Sequence, residues 1–119
     1  MERAHFRFED LEVWQLARDL TIQFHQLAAK LEQRKFCRYA EQLRAAGLSM
    51  PNNIAEGSAS IHAAEFKQFL NIARRSLFES ASMLLVFESM AIVSAEEITS
   101  LLSGCDQLSR MIPNLIKSR

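Results

Sequence analysis

The chain has 119 residues, 49% of them hydrophobic. Its 14 basic and 14 acidic side chains give a formal net charge of zero, and it has only three Gly and two Pro. That length suits one globular domain able to bury a core without a metal or disulfide staple. So few turn formers argue against an all-β chain or a flexible linker. Zero net charge excludes the strongly basic composition of many nucleic-acid binders and leaves room for a local basic patch.

Cys37 and Cys105 form no CxxC pair and suit a reducing compartment. The opening MERAHFRFED lacks the apolar core of a signal peptide. The longest uninterrupted apolar run, Met83 to Phe87, is far too short to span a bilayer. The expectation is one cytoplasmic domain over residues 1–119 with a short tail at 1–9.

Four helical segments follow in chain order. The first runs from about Asp10 to Leu31, with Leu11, Trp14, Ala17, Leu20, Phe24, Leu27 and Leu31 at gaps of three and four. Asp10 is its expected N-cap, and Trp14 is expected in the core. The basic stretch Arg34, Lys35, Arg38 contains the first turn. The second segment, about Tyr39 to Ala59, keeps a helical period through Leu43, Ala46, Met50 and Ile54 across Pro51. A proline inside a helix removes a donor and pushes on the carbonyl four residues back. One kinked helix is therefore expected rather than two.

The third segment spans about Ala63 to Val93, with Phe66, Phe69, Leu70, Ala73, Leu77, Ala81, Leu84 and Phe87 as its stripe. The fourth opens at Ser94, with Glu97 three residues on, a capping-box pattern. Ile98, Leu101, Cys105, Leu108, Ile112 and Leu115 follow, and Pro113 is expected to bend or fray the end. Four such segments with short connections predict an all-α, antiparallel up-and-down four-helix bundle with a proline-kinked second helix.

Nine of the eleven residues from Met83 to Val93 are apolar, and a helix apolar all round is buried on every side. The alternatives are a cover by the tail with Phe6 and Phe8, or a subunit interface. The interface is preferred, with Leu85, Val86 and Ile92 as its candidates.

Signs of catalysis are few. His5, His25 and His62 share no metal-ligand spacing, and no GxGxxG, P-loop or GxSxG occurs. No cofactor or metal is expected. Ser49, Asn53 and Glu56 are the notable polar residues of the second segment, where Asn53 and Glu56 share a face at i, i+3, and Ser76 and Glu79 repeat that spacing on the third. A catalytic carboxylate pair is conceivable. A hydrogen-bonded polar layer is preferred, with Ser49 and Asn53 helping the Gly47 carbonyl that Pro51 releases. The bases Arg34, Lys35, Arg38 and Arg44, together with Arg74 and Arg75, are the candidate contacts for phosphate.

Three groups of residues resemble one family. They are Phe8, Asp10, Leu11, Val13, Trp14, Gln15 and Ala17; Gln42-Leu43-Arg44 with Ser49-Met50-Pro51-Asn52-Asn53-Ile54-Ala55-Glu56-Gly57; and Glu65-Phe66, Phe69-Leu70, Ile72-Ala73, Ser76-Leu77 and Glu79. From Phe8 to about Ile116 the chain resembles the 23S rRNA intervening-sequence proteins, relatives of the accessory variability proteins of diversity-generating retroelements. The resemblance implies an antiparallel four-helix bundle, a ring-shaped homopentamer and no enzymatic activity. The retroelement relatives imply binding of structured RNA or DNA and of a reverse transcriptase through a basic surface. Two departures weigh on that last point: Ala45 follows Arg44 where a second arginine is frequent, and Ser58-Ala59-Ser60-Ile61 replaces basic residues. A protein-interaction scaffold without nucleic acid is the alternative.

Overall fold

The computed structural model describes residues 2–119. Four helices, α1 (Glu12–Gln33), α2 (Cys37–Ser58), α3 (Ala63–Ser89) and α4 (Ala95–Lys117), follow a single 3-10 turn at Arg7–Asp10. They pack in cyclic order, α1 on α2, α2 on α3, α3 on α4 and α4 on α1, with the diagonal pairs farther apart in backbone. This is a four-helix bundle, and no helix among the described residues is long and apolar enough to cross a membrane.

The core follows the periodicity. Leu20, Phe24, Leu31, Leu43, Met50, Ile54, Leu70, Leu77, Leu84, Ile98, Leu108 and Ile112 are the largest fully buried side chains. The inward stripe of α1 is led by Val13, and Trp14 is only half-buried. The expectation of a core indole is thereby corrected. Trp14 lies at the rim, 5.0 Å from the Phe8 ring and with the Arg18 guanidinium 5.3 Å above it. Phe8 and its stacked neighbour Phe6 thus belong to the start of α1. The tail does not fold over Leu85 and Val86. Asp10 lies in the 3-10 turn, and Leu11 occupies the N-cap without a side-chain bond.

Two helices end on the same backbone device, one within the expected basic turn and one earlier than the sequence reading placed it. Lys35 and Ala91 have φ of 69° and 59°, a left-handed conformation that glycine usually supplies. At each, a Schellman pair closes the helix. Lys35 N–H reaches Glu32 O at 2.9 Å and Phe36 N–H reaches Leu31 O at 2.8 Å; Ala91 N–H reaches Glu88 O and Ile92 N–H reaches Phe87 O, both at 2.9 Å. Helix α3 therefore stops at Ser89 and not at Val93. Ile92 and Val93 turn under the bundle and are 6% exposed. Ile92 is consequently corrected from interface candidate to core residue.

The two turns share one end of the molecule. The Arg34 guanidinium donates to the Ile92 carbonyl, and the Tyr39 and Phe87 rings stand 5.3 Å apart. The capping box at α4 forms as expected, with Glu97 N–H on Ser94 Oγ at 3.2 Å and Ser94 N–H on Glu97 Oε1 at 2.9 Å.

Candidate functional site

Helix α2 runs unsplit through Pro51. Gly47 O, which loses its helical donor to Pro51, lies 3.0 Å from Thr21 Oγ1 of α1, whose single hydroxyl proton it shares with Ala17 O at 2.8 Å. Ser49 and Asn53 do not serve it. Asn53 Nδ2 donates to Ser49 O and Ser49 Oγ at 2.8 and 2.9 Å, and Ser49 Oγ bonds Ser76 Oγ of α3 at 2.8 Å. The preferred polar layer therefore exists as Ser49, Asn53 and Ser76. Glu56 and Glu79 lie outside it, both exposed, and the expected carboxylate partners are corrected on that point. No buried side-chain nitrogen or oxygen among the described residues lacks a partner.

Pro113 creates the same vacancy on α4. The helix continues to Lys117 without fraying. Ser109 O, four residues before the proline, accepts from Arg74 Nε of α3 at 3.5 Å. The Arg74 guanidinium also covers the Phe78 ring at 4.6 Å.

Gly47 and Gly57 explain how closely α2 approaches its neighbours. A Cβ on Gly47 would stand 2.8 Å from Phe24 Cδ2 of α1, and one on Gly57 2.6 Å from Phe69 Cβ of α3. The Ser-x-Pro-x-Asn-Ile-Ala-Glu-Gly run is thus a packing and hydrogen-bonding unit. Its Asn52 and Glu56 face solvent without a role in that unit.

The six candidate bases do not form one surface. Arg44 lies in the groove between α1 and α2, where Nη1 and Nη2 hold Glu32 Oε2 and Oε1 at 2.8 and 2.9 Å and Nε donates to His25 Nδ1 at 3.1 Å. The hydrogen bond from Arg44 holds the Glu32 carboxyl below its ordinary value. Arg74 lies in the α3/α4 groove on the opposite side of the bundle. Arg34 is held across the end of the bundle by Ile92 O and by the Phe36 ring at 5.3 Å. Lys35, Arg38 and Arg75 are exposed and form no ion pair among the described residues. No cluster of three His, Cys, Asp or Glu among those residues could hold a metal. Burial pushes the Cys105 thiol up to about 11, while Cys37 is exposed at the start of α2.

What remains open is apolar. Leu85 and Val86 are each 48% exposed, joined on α3 by Phe78 and, at its end, by Met90. These line a shallow groove of about 560 Å³. On the other side, Ile22 and Leu48 are about half exposed and line a groove of about 320 Å³ between α1 and α2. The sequence reading missed Ile22, Leu48, Phe78 and Thr21. The signal for Ile22 and Leu48 was their position off the apolar stripe of their own helices.

A crystal structure of a protein of unknown function from the S23 ribosomal protein family of Bacteroides thetaiotaomicron VPI-5482 has the same fold. Its TM-score is 0.84 at 21% identity, over 88% of this chain and 98% of that one. No curated protein matches the chain. The family model for the 23S rRNA-intervening sequence protein matches residues 9–114, from the last two residues of the 3-10 turn through the polar motif of α2 to nearly all of α4. The chain therefore belongs to the 23S rRNA-intervening sequence protein family.

Proposed function

We propose that this protein is a non-catalytic scaffold that works as a ring-like homo-oligomer, with five copies as the number its family resemblance favours. The observation that carries this reading is the pair of open apolar surfaces on opposite sides of the bundle, Phe78, Leu85, Val86 and Met90 on one and Ile22 and Leu48 on the other. Isolated exposed apolar residues are ordinary, whereas contiguous patches on a protein that does not cross a membrane mark contact surfaces. The absence of catalysis is supported by the side chains that would have performed it. Glu56 and Glu79 are both exposed, and Ser49, Asn53 and Ser76 are spent on one another.

A second reading rests on Lys35, Arg38 and Arg75, which keep unpaired charge. Repeated around a ring, even a weak patch gains avidity for structured RNA or DNA. Titration with a structured RNA at two salt concentrations separates the readings. Binding that falls steeply with salt supports a phosphate-contacting ring. Assembly without such binding supports the scaffold, and a 13.6 kDa species at micromolar concentration contradicts both.

A further inference from the structure

Helix α4 is tied to the bundle more sparingly than the other three helices are tied to one another. Side-chain hydrogen bonds join α1 to α2 through Thr21 and Gly47 O and through Arg44 with Glu32 and His25, and join α2 to α3 through Ser49 and Ser76. Among the described residues α4 has one such bond to another helix, Arg74 Nε on Ser109 O, and at 3.5 Å it is the longest of these. Helix α4 buries five residues where α2, of nearly equal length, buries nine, so less apolar area holds it in place.

The seams beside α4 are open. The helix meets α1 closely at its middle, where a Cβ on Gly104 would stand 2.7 Å from Leu20 Cδ2. On either side of that crossing the two helices part around grooves, about 370 Å³ beside Val13 and Met111 and about 150 Å³ beside Leu27 and Leu101. A third groove, about 170 Å³, lies between Leu77 of α3 and Cys105. Side chains that border a gap forfeit dispersion contacts on that side. The connection from α3 is a short turn at residues 90–94. Ala91 is held there at φ 59°, and the Arg34 guanidinium of the α1 end latches Ile92 O. The Ser94/Glu97 box caps α4 from its own sequence, so α4 keeps its first-turn hydrogen bonds if it leaves its neighbours.

We infer that α4 is a hinged flap, which swings away about the turn at residues 90–94 while α1, α2 and α3 stay together. Segments with few buried contacts open as cooperative units below the cost of global unfolding. Opening bares the inner face of α4, Ile98, Leu101, Leu108 and Ile112, and the seam residues it covers. The inference concerns a seam within one protomer and does not rest on the homo-oligomer reading. Cys105 is its natural reporter. It is buried on that inner face, and burial pushes its thiol up to about 11, so it reacts through an opened form.

The test uses Cys37→Ser, at an exposed position, which leaves Cys105 as the single thiol. Its reaction with a dilute thiol reagent is followed at neutral pH and fixed protein concentration through sub-denaturing urea, so that the rate tracks the open population. Amide hydrogen exchange of the wild-type protein is read helix by helix under the same conditions, and loss of helix content in urea gives global unfolding. The expected result is a Cys105 rate more than about tenfold above what the globally unfolded fraction allows, rising with urea on a shallower slope. Amides of α4 should follow that same slope, while those of α1, α2 and α3 exchange only through global unfolding. A Cys105 rate and slope equal to those of global unfolding, with α4 amides protected as well as the rest, makes the bundle one cooperative unit and overturns the flap. Exchange of α3 together with α4 overturns the hinge. A fast, urea-independent reaction of Cys105 beneath protected α4 amides is reagent entry through the α3/α4 groove and overturns the flap as well.

Discussion

Ala91 holds a left-handed backbone at φ 59° with a Cβ that disfavours it. Ala91→Gly relieves that strain and should stabilise the fold by about 0.5–1 kcal/mol after the added freedom of the unfolded chain is deducted. The shift in urea midpoint measures it. Gly57 is the opposite case. Its missing Cβ is what lets α2 meet Phe69 and Phe66, so Gly57→Ala should cost about 1–3 kcal/mol by overpacking in the same assay. The two cysteines should separate by reagent. Cys37 is exposed, and Cys105 is buried with its thiol pushed up to about 11. A thiol-specific reagent at neutral pH should therefore modify one group in the native protein and two in denaturant.

Helices that donate to one another's freed carbonyls hold this bundle in register. Thr21 serves Gly47 across α1 and α2, and Arg74 serves Ser109 across α3 and α4. Thr21→Val leaves a carbonyl unpaired at nearly constant volume and should cost about 1–3 kcal/mol. At the head of α1, hydrogen bonds first from the Arg3 guanidinium and then from Phe6 N–H hold the Glu9 carboxyl down to about 2. A depressed carboxylate stabilises the docked turn above its ordinary range and loses that effect as pH falls through its folded value. Trp14 fluorescence, which senses Phe8 at 5.0 Å, should change near pH 2. Arg3→Ala should move that change upward. The helices themselves were legible from three-four spacing and from the Ser94/Glu97 box, because both signals are local. The end of α3 was not, since alanine carries no mark of a left-handed conformation, and Val93 was read as a continuation. The donors to Gly47 and Ser109 come from other helices, as do the partners of Arg44, so no spacing within α2 or α4 could reveal them.

On the scale of the molecule, zero net charge is reached with the bases distributed rather than gathered. Arg44 and Arg74 fall in grooves on opposite sides, each occupied by its own contacts, and sequence proximity could not reveal this. The apolar run Met83–Val93 divides into a buried part, Leu84, Phe87, Ile92 and Val93, and an open part, Leu85, Val86 and Met90. The open part is what the scaffold reading places between copies. Burying one uncompensated carboxylate there is costly, so Leu85→Glu should weaken assembly while leaving helix content unchanged. Ile92→Glu should instead unfold the protomer. The most direct measurement is the absolute mass of the wild-type protein by multi-angle light scattering at micromolar concentration. A defined multiple of the 13.6 kDa chain mass, about five-fold for the proposed ring, is the predicted result, and a mass of one chain would contradict the account.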